Sequence, residues 1–534
     1  MVSITGLAKD AGGGIVAQVE VSVDGGATWD LANGMTAWSY NWTPTTPGSA
    51  TIKSRAVDDS RNVQDIPAEI TVTVRDPVTI RVPSANQPTI QSAINAAGYG
   101  DTVLVAPGTY NENINFGGKA ITVASESGRP EDTIIDGGNA HPVVIFNSGE
   151  GRDSALNGFT LQNGRGGFDN QAAGEGGGVK IVGSSPRITN NLIRNNQACH
   201  GAGIWISSGS PLIQLNTITN NDSNLCSGGT GCGISIRGTS SVEILDNVIS
   251  NNGIGTFQLA GSGGGIYMFG LGTLIVKRNI IKGNSLVTDG RGGGIYLANE
   301  SETLIVQNLI TGNQAYEGAG IYLIAFGAYG PKLVNNTIAD NNAIASGSGI
   351  FAEASGGRSE LANNIIVAKP GQAGLYCNNT SDQTQPGARF NNIFSAGGTA
   401  YGGSCADKTG TNGNISADPL FINPTGGDYH LRQGSPSIDA GDNLTPNLPD
   451  KDVDENPRIL DGDGNGTATI DMGVDEFLLP LGLKISLLDE SNPGSKNIRS
   501  LSICDLRPWA RTPGRRPKNT LSALPPRSPR LGVK

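Results

Sequence analysis

The sequence predicts an all-β protein: a right-handed parallel β-helix preceded by a small β-sandwich. Three observations carry this. Gly makes up 78 of 534 residues without a collagen period, and aromatics only 5%, a composition of many tight turns. An Asn followed two positions on by an apolar residue recurs at Asn191, Asn216, Asn247, Asn279, Asn308, Asn336, Asn364 and Asn392, in steps of 25, 31, 32, 29, 28, 28 and 28. In phase with it runs a Gly-apolar series: Gly178-Val179, Gly203-Ile204, Gly233-Ile234, Gly265-Ile266, Gly294-Ile295, Gly320-Ile321 and Gly349-Ile350. Two phased short strands per repeat fit coils of parallel strands joined by tight turns.

Residues 1–76 alternate apolar and polar positions, as in Val19-Glu20-Val21-Ser22-Val23 and Ile70-Thr71-Val72-Thr73-Val74, with turns such as Asp24-Gly25-Gly26 between runs. Short alternating strands between turn signals predict a β-sandwich. Val21–Trp29, Trp38–Trp42 and Lys53–Asp59 resemble bacterial immunoglobulin-like modules of surface proteins, with the first strand missing. Trp29, Trp38 and Trp42 are read as core or edge packing before sugar binding.

Residues 77–417 form the predicted β-helix. Pro88–Ala97 has helical spacing, with Ile90, Ala93, Ile94 and Ala97 on one face, and Asp101–Tyr110 follows as strand and turn. This entry resembles the N-terminal cap of pectin-lyase-like β-helices. A solenoid needs a cap, because an open first coil exposes core and strand edges. In the coils, aligned Asn side chains are expected to hydrogen-bond up the stack, with Asn157 as an earlier member. Gly beside each strand is expected to permit the bend's backbone angles. Ile193, Ile218, Ile249, Ile281, Ile310 and Ile338 are expected to stack as one buried ladder.

Residues 418–477 leave the repeat. Asp418–Asp442 and Ile470–Phe477 resemble the choice-of-anchor Q module, which lies near the C-terminus of bacterial surface β-helix proteins. Residues 478–534 are expected to be a disordered basic tail. From Lys484 onward, eleven Lys/Arg stand against three Asp/Glu, a net of +8, so the body carries −18 of the total −10. An acidic body argues against nucleic acid as a partner. There is no run of about 18 apolar residues, which argues against membrane insertion. No signal peptide follows Met1, so the start reads as truncated, and the extracellular or cell-surface placement rests on architecture.

The cysteines are Cys199, Cys226, Cys232, Cys377, Cys405 and Cys504, without zinc-finger spacing. Cys377 and Cys405 lie about one repeat apart, so neighbouring coils can bring them together. Cys226 and Cys232 flank one Gly-rich loop, and Cys199 lies one coil earlier. Disulfides and buried free thiols are both open readings.

The pectin-lyase-like resemblance implies attack on acidic polysaccharide, with calcium and a Lys or Arg base, or with paired Asp residues. The coils lack the Asn-Thr-Asp, Arg-x-Pro-x-x-Arg and Lys-Ser-Ser motifs of such enzymes. Strand alternation instead points a column outward: Lys180, Trp205, Ser235, Tyr267, Tyr296, Tyr322, Phe351 and Tyr376. The six aromatics are candidates for glycan binding, since coil spacing of about 4.8 Å is close to one sugar unit. The other reading is a ring stack that stabilises the solenoid and carries no ligand.

A second column lies four residues before each strand's first apolar residue: Glu175, His200, Thr230, Ser262, Arg291, Glu317 and Ser346. His200, Arg291 and Glu317 are the catalytic candidates, with solvated turn residues as the other reading. Asp461-Gly462-Asp463-Gly464-Asn465-Gly466 matches the first half of a calcium loop, with Thr467 offering a carbonyl. Met472 stands where a carboxylate is wanted, and Asp471 comes one place early. Calcium is expected at this loop, with a plain Gly/Asp turn as the alternative. The leading functional reading is a surface β-helix engaging polysaccharide, non-catalytic or of undefined activity. The alternatives are a lyase or glycosidase of an acidic glycan, and an adhesin-like stalk.

Overall fold

The computed structural model describes residues 2–479 except 11, 13, 168–173, 224, 227, 255–260, 287–288, 300–301, 326–328, 354–358 and 379–384, together with 484–487 and 499–502. The chain divides into two units, Met1–Phe477 and Leu478–Lys534. In the second, Lys484–Leu487 pairs antiparallel with Arg499–Ser502. Apart from Leu478 and Leu479, the rest of the expected disordered tail, Cys504 included, lies outside the described residues.

The protein is an all-β right-handed parallel β-helix. Among the described residues, three parallel sheets run along it. The first extends from Thr79–Val82 to Gly387–Arg389, the second from Gly108–Asn111 to Asn392–Ser395, and the third from Ile114–Asn115 to Tyr401–Gly403. One coil takes a strand from each, for example Leu274–Lys277, Ile280–Lys282 and Ile295–Asn299. Between the second and third sheets, the middle coils add a short parallel sheet of Gly253–Ile254, Ser285–Leu286, Gln314–Glu317 and Asn342–Ser346.

The expected ladder is present. Ile193, Ile218, Ile249, Ile281, Ile310 and Ile338 pair coil to coil and are fully buried. Burial of each contributes roughly 1.5–3 kcal/mol before the cost of ordering the chain. The core they belong to is continuous from the cap helix to Tyr401. That helix spans Ile90–Ala96, is closed by a Thr89–Ser92 capping box, and buries Ile90, Ala93 and Ile94.

The asparagine stack differs from expectation at both ends. Asn364 donates to the Oδ1 of Asn391, and Asn391 to that of Asn414. Asn392 is not the member. The adjacent Asn391-Asn392 pair leaves the phase ambiguous by one residue, and pairing of Ile366 with Ile393 resolves it toward Asn391. Asn392 bonds Ser437 instead. At the other end Asn157 pairs with Thr189, and the backbone N–H of Phe159 takes the stack position, donating to Asn191 Oδ1. A second stack, which recurs in the sequence with the same steps, runs five residues on, through Asn196, Asn221, Asn252, Asn284, Asn313 and Asn341.

The glycines act differently from expectation. At Gly178, Gly203, Gly233, Gly265, Gly294, Gly320 and Gly349 a Cβ would sit within 2.6 Å of the next coil's carbonyl oxygen, so close approach excludes a side chain. Positive φ, 59–71°, falls two residues earlier, at Gly176, Gly201, Gly231, Gly263, Gly292, Gly318 and Gly347. The bend before the first asparagine stack is made by the preceding residue in the left-handed region, Asn190, Leu215, Asp246, Arg278, Gln307, Asn335, Asn363 or Phe390.

Residues 1–76 form two small antiparallel sheets. Val16, Val19, Val21, Trp38 and Ile52 are their core, Trp42 packs beside it, and the Arg55 guanidinium lies over Trp29. The three tryptophans are therefore engaged in packing. Cys377 and Cys405 form a disulfide, Cys199 bonds Cys226, and Cys232 is a buried free thiol pushed by burial up to about 12.

Residues 418–477 fold back along the last coils. Phe421, Tyr429, Leu431, Met472 and Phe477 pack on Ala339 and Ile365 from the outward face of the second sheet. Asn335 from a coil and the buried Arg458 from the module donate to the same two carbonyls, of Asp471 and Gly473. Tyr429 bonds Asp340, and Asn363 holds Asp442 through both backbone groups.

Candidate functional site

The outward face of the third sheet carries the ring column, and the second column runs beside it, just before the strands of that sheet. Parallel pairing aligns Lys180, Trp205, Ser235, Tyr267, Tyr296, Tyr322, Phe351 and Tyr376 in one row. Consecutive rings from Tyr267 to Tyr376 stack with centroids 5.1, 5.3, 4.9 and 5.2 Å apart. The spacing follows the coil rise, which the backbone ladder imposes.

Rings stacked on one another spend their faces on each other, so a sugar meets edges and hydroxyls. Trp205 is 3% exposed, Tyr267 8%, Tyr322 0% and Phe351 1%, whereas Tyr296 and Tyr376 are half-buried. The rings lie outside the solenoid core yet are packed against one another.

The second column is also a true column. Parallel bridges join Glu175 to His200, His200 to Thr230, Thr230 to Ser262, Ser262 to Arg291 and Arg291 to Glu317, and Glu317 pairs with Ser346. Arg291 Nε lies 3.2 Å from Glu317 and its Nη1 3.8 Å from Glu353, while its guanidinium stands over the Tyr322 ring. Tyr322 donates its hydroxyl to Glu353. Burial first, and then that bond, holds the phenol well above its ordinary range. The Arg291 guanidinium is pushed down by burial and raised on balance by Tyr322, Glu353 and Glu317.

His200 stands apart. Three coil steps of about 4.8 Å separate it from Arg291, roughly 14 Å along the axis. The three catalytic candidates are therefore not one constellation, since only Arg291 and Glu317 meet. His200 Nδ1 is 2.8 Å from Thr230 Oγ1. Burial, with the Arg237 charge adding to it, lowers the imidazole to about 4, so it is neutral near pH 7.

Two residues of this face escaped the sequence reading. Arg237 and Glu353 belong to a third outward column, two residues beyond the ring column on the same strands. Extending strand alternation one step further would have found them. Ser235 leaves a gap in the ring row, and the Arg237 guanidinium fills it, 5.6 Å from the Trp205 ring centroid and 5.5 Å from that of Tyr267.

In the C-terminal module, carboxylate oxygens of Asp439, Asp461 and Asp463 lie within 4.8 Å of one another. The third carboxylate of this cluster is Asp439, whereas Asp471 is not part of it. Asp471 is buried, with one oxygen accepting the Asp439 N–H and the other the Phe477 N–H, so both are engaged by backbone donors. Asp461 accepts N–H groups of Gly464, Asn465 and Gly466. Asn465 Oδ1 accepts the Thr467 N–H. Asp439 lies 22 residues before the loop and no local motif announces it. In the same module His430 sits between Asp428 and Asp454, and the Asp454 bond foremost raises its pKa to about 10.

The family model described as "Right handed beta helix region" matches residues 135–290 and 262–394. No curated protein matches the chain. Among solved structures it is similar to a family 28 exopolygalacturonase of Yersinia enterocolitica, at 10% identity and a TM-score of 0.27, covering 72% of this chain and 96% of that one. It is also similar to a mannuronic acid specific polysaccharide family 6 lyase from human gut microbiota, at 13% identity and a TM-score of 0.27, covering 65% and 93%.

Proposed function

We propose that the protein is an extracellular or cell-surface β-helix that engages polysaccharide along the outward face of its third sheet, without an assigned covalent reaction. One observation carries this reading: a row of aromatic side chains runs along the axis at a repeat close to one sugar unit, with Arg237, Arg291, Glu317 and Glu353 beside it. Contact is made by the half-buried Tyr296 and Tyr376 and by Arg237, Arg291 and Lys180. The buried Trp205, Tyr267, Tyr322 and Phe351 hold these groups in register. Two disulfides fit an oxidising compartment. Among the described residues no helix is long and apolar enough to cross a membrane. On this reading the N-terminal sheets are an immunoglobulin-like module and residues 418–477 a choice-of-anchor Q type module.

Calcium belongs to the same proposal. Three carboxylates from Asp439, Asp461 and Asp463 form an all-oxygen donor set of the kind that suits a hard cation.

The test is binding to a panel of pectins, alginates and glycosaminoglycans, with Tyr296→Ala and Arg291→Ala beside wild type. Weakened binding with an intact fold supports the face. A protein that binds none of them is a stalk. A second reading, lyase or glycosidase, draws on the neutral His200 beside Thr230. Unsaturated products or new reducing ends, abolished by His200→Ala, would establish it.

A further inference from the structure

The C-terminal module holds a histidine in surroundings that neither the glycan face nor the Asp461 loop uses. His430 lies on the strand Asp428–Leu431, and its Nδ1 is 2.5 Å from Asp428 Oδ1. On the other side of the ring, Nε2 is 3.0 Å from Asp454 Oδ2. That oxygen stands off the line of the ring N–H. Nε2 is closed off from solvent, with an ion-pair partner but no hydrogen-bond acceptor. Asp475, itself buried, supplies a third group. His430 Nε2 and one oxygen each of Asp454 and Asp475 lie within 4.8 Å of one another.

Backbone bonds fasten the three segments that meet here. Asp475 Oδ2 accepts the N–H of Leu431, the residue after the histidine. Asp452 Oδ1 accepts the N–H groups of Asp454 and Asn456, closing the turn that carries Asp454. The second Asp452 oxygen accepts the Glu476 N–H, and the Val453 N–H donates to the Val474 carbonyl, so this turn is tied beside Asp475. The side chains that meet are short and spring from braced backbone, which is what a pre-organised site requires.

The chemistry of the set is that of a metal-binding histidine. A carboxylate on the far ring nitrogen fixes the tautomer of such a histidine and aims the other nitrogen at the ion. Asp428 stands in that place at Nδ1. Two ligand atoms of a tetrahedral ion with bonds of about 2.1 Å lie roughly 3.4 Å apart. A contact of 3.0 Å lying off the N–H direction suits two ligands of one ion better than a donor and its acceptor. Imidazole with carboxylates favours a borderline ion such as zinc, whereas the all-oxygen Asp439, Asp461 and Asp463 set favours calcium.

We infer that His430, Asp454 and Asp475 form a divalent metal site of the zinc class, with Asp428 as its positioning residue. The ion would tie three segments of the C-terminal module to one point. This goes beyond the polysaccharide reading and does not depend on it. Without an ion, Asp454 foremost, then Asp475 and Asp428, keeps a proton on the ring. The metal displaces that proton to solvent, and a dication gains more than a proton does from the same carboxylates.

The experiment uses the tag-free full chain, stripped with chelator and dialysed. Zinc chloride and calcium chloride are titrated separately by calorimetry into wild type, His430→Ala, Asp454→Asn, Asp428→Asn and Asp461→Ala, each checked by thermal melt. Cobalt(II) absorption reports the coordination. The expected result is one zinc per chain, weakened roughly tenfold or more by His430→Ala and by Asp454→Asn. Asp461→Ala keeps zinc, and in that variant calcium binds at least tenfold more weakly than zinc. Asp428→Asn retains the ion with a shifted cobalt spectrum, and an unshifted spectrum removes Asp428 from the site. Should His430→Ala fail to fold, the exposed Asp454 carries the decision through Asp454→Asn. No zinc held by wild type overturns the site, as does unchanged zinc affinity in folded His430→Ala and Asp454→Asn. Zinc lost in Asp461→Ala but kept in His430→Ala places the ion at the calcium loop and also overturns it. Equal affinity for calcium and zinc in Asp461→Ala overturns the choice of ion.

Discussion

Asn308 holds Asn279 by two bonds to a single oxygen: its Oδ1 accepts the Asn279 backbone N–H at 2.9 Å and the Asn279 side-chain N–H at 3.0 Å. Its own Nδ2 donates to the carbonyls of Val276 and Val306 and to Asn336 Oδ1. Each asparagine thus joins three coils through groups that water does not reach.

Asn308→Ala leaves a buried backbone N–H and two carbonyls short of partners. The expected cost is about 2–4 kcal/mol, with Asn308→Asp also destabilising because its oxygens cannot donate. Denaturant melts of both variants check this. A loss under about 0.5 kcal/mol would show that the stack is incidental to stability.

The ring row is expected to stabilise the solenoid. Tyr322→Ala empties a fully buried site and should cost about 3–5 kcal/mol. Tyr322→Phe removes only the bond to Glu353 and should cost about 1–2 kcal/mol. The half-buried Tyr296 should be milder in stability and stronger in glycan affinity. Thermal melts beside binding titrations separate the two roles.

Calcium should raise the melting temperature of wild type by mass action, by about 2.7 kcal/mol of stability at a hundredfold excess over Kd. Chelator should reverse it, and Asp461→Ala or Asp439→Ala should abolish the response. Asp471→Asn should destabilise without affecting calcium, because its oxygens hold the Asp439 and Phe477 N–H groups. A melt unmoved by calcium and chelator would reduce the loop to a turn.

Acid and alkali should act on different parts of the chain. His200 is lowered to about 4 by burial and then Arg237, so its neutral form favours the fold. That contribution is present above 6.5 and lost as pH falls toward 4. His430 is raised to about 10, so its charged form favours the fold, fully below 6.5 and lost as pH rises through 10. Burial raises Asp475 to about 6, which relieves a penalty as pH falls below that value. His200→Asn should flatten the acid limb of a stability profile and His430→Asn the alkaline limb, each by a few degrees of Tm.

Repetition made much of the fold readable. The isoleucine ladder, the ring row and the Glu175–Ser346 column all follow from counting along a strand and then along the repeat, because a strand alternates every two residues and a coil must return to register. Where two candidates sat side by side, as at Asn391-Asn392, counting misplaced the phase by one. The inward-facing isoleucine settles it, because a slip of one residue turns the whole strand inside out.

The amino-acid order by itself determined the solenoid, its cap helix, the two outward columns and the Asp461 turn, since all are local or periodic. Tertiary structure alone decided how exposed the rings are, that Arg237 fills the gap at Ser235, and that Asp439 joins Asp461 and Asp463 while Asp471 turns inward. It also decided that residues 418–477 lie on the second sheet through Tyr429, Met472 and Phe477. These depend on which surfaces meet across dozens of residues. No period or spacing in the chain encodes that meeting, and it is reached only when buried apolar area and paired donors are satisfied together.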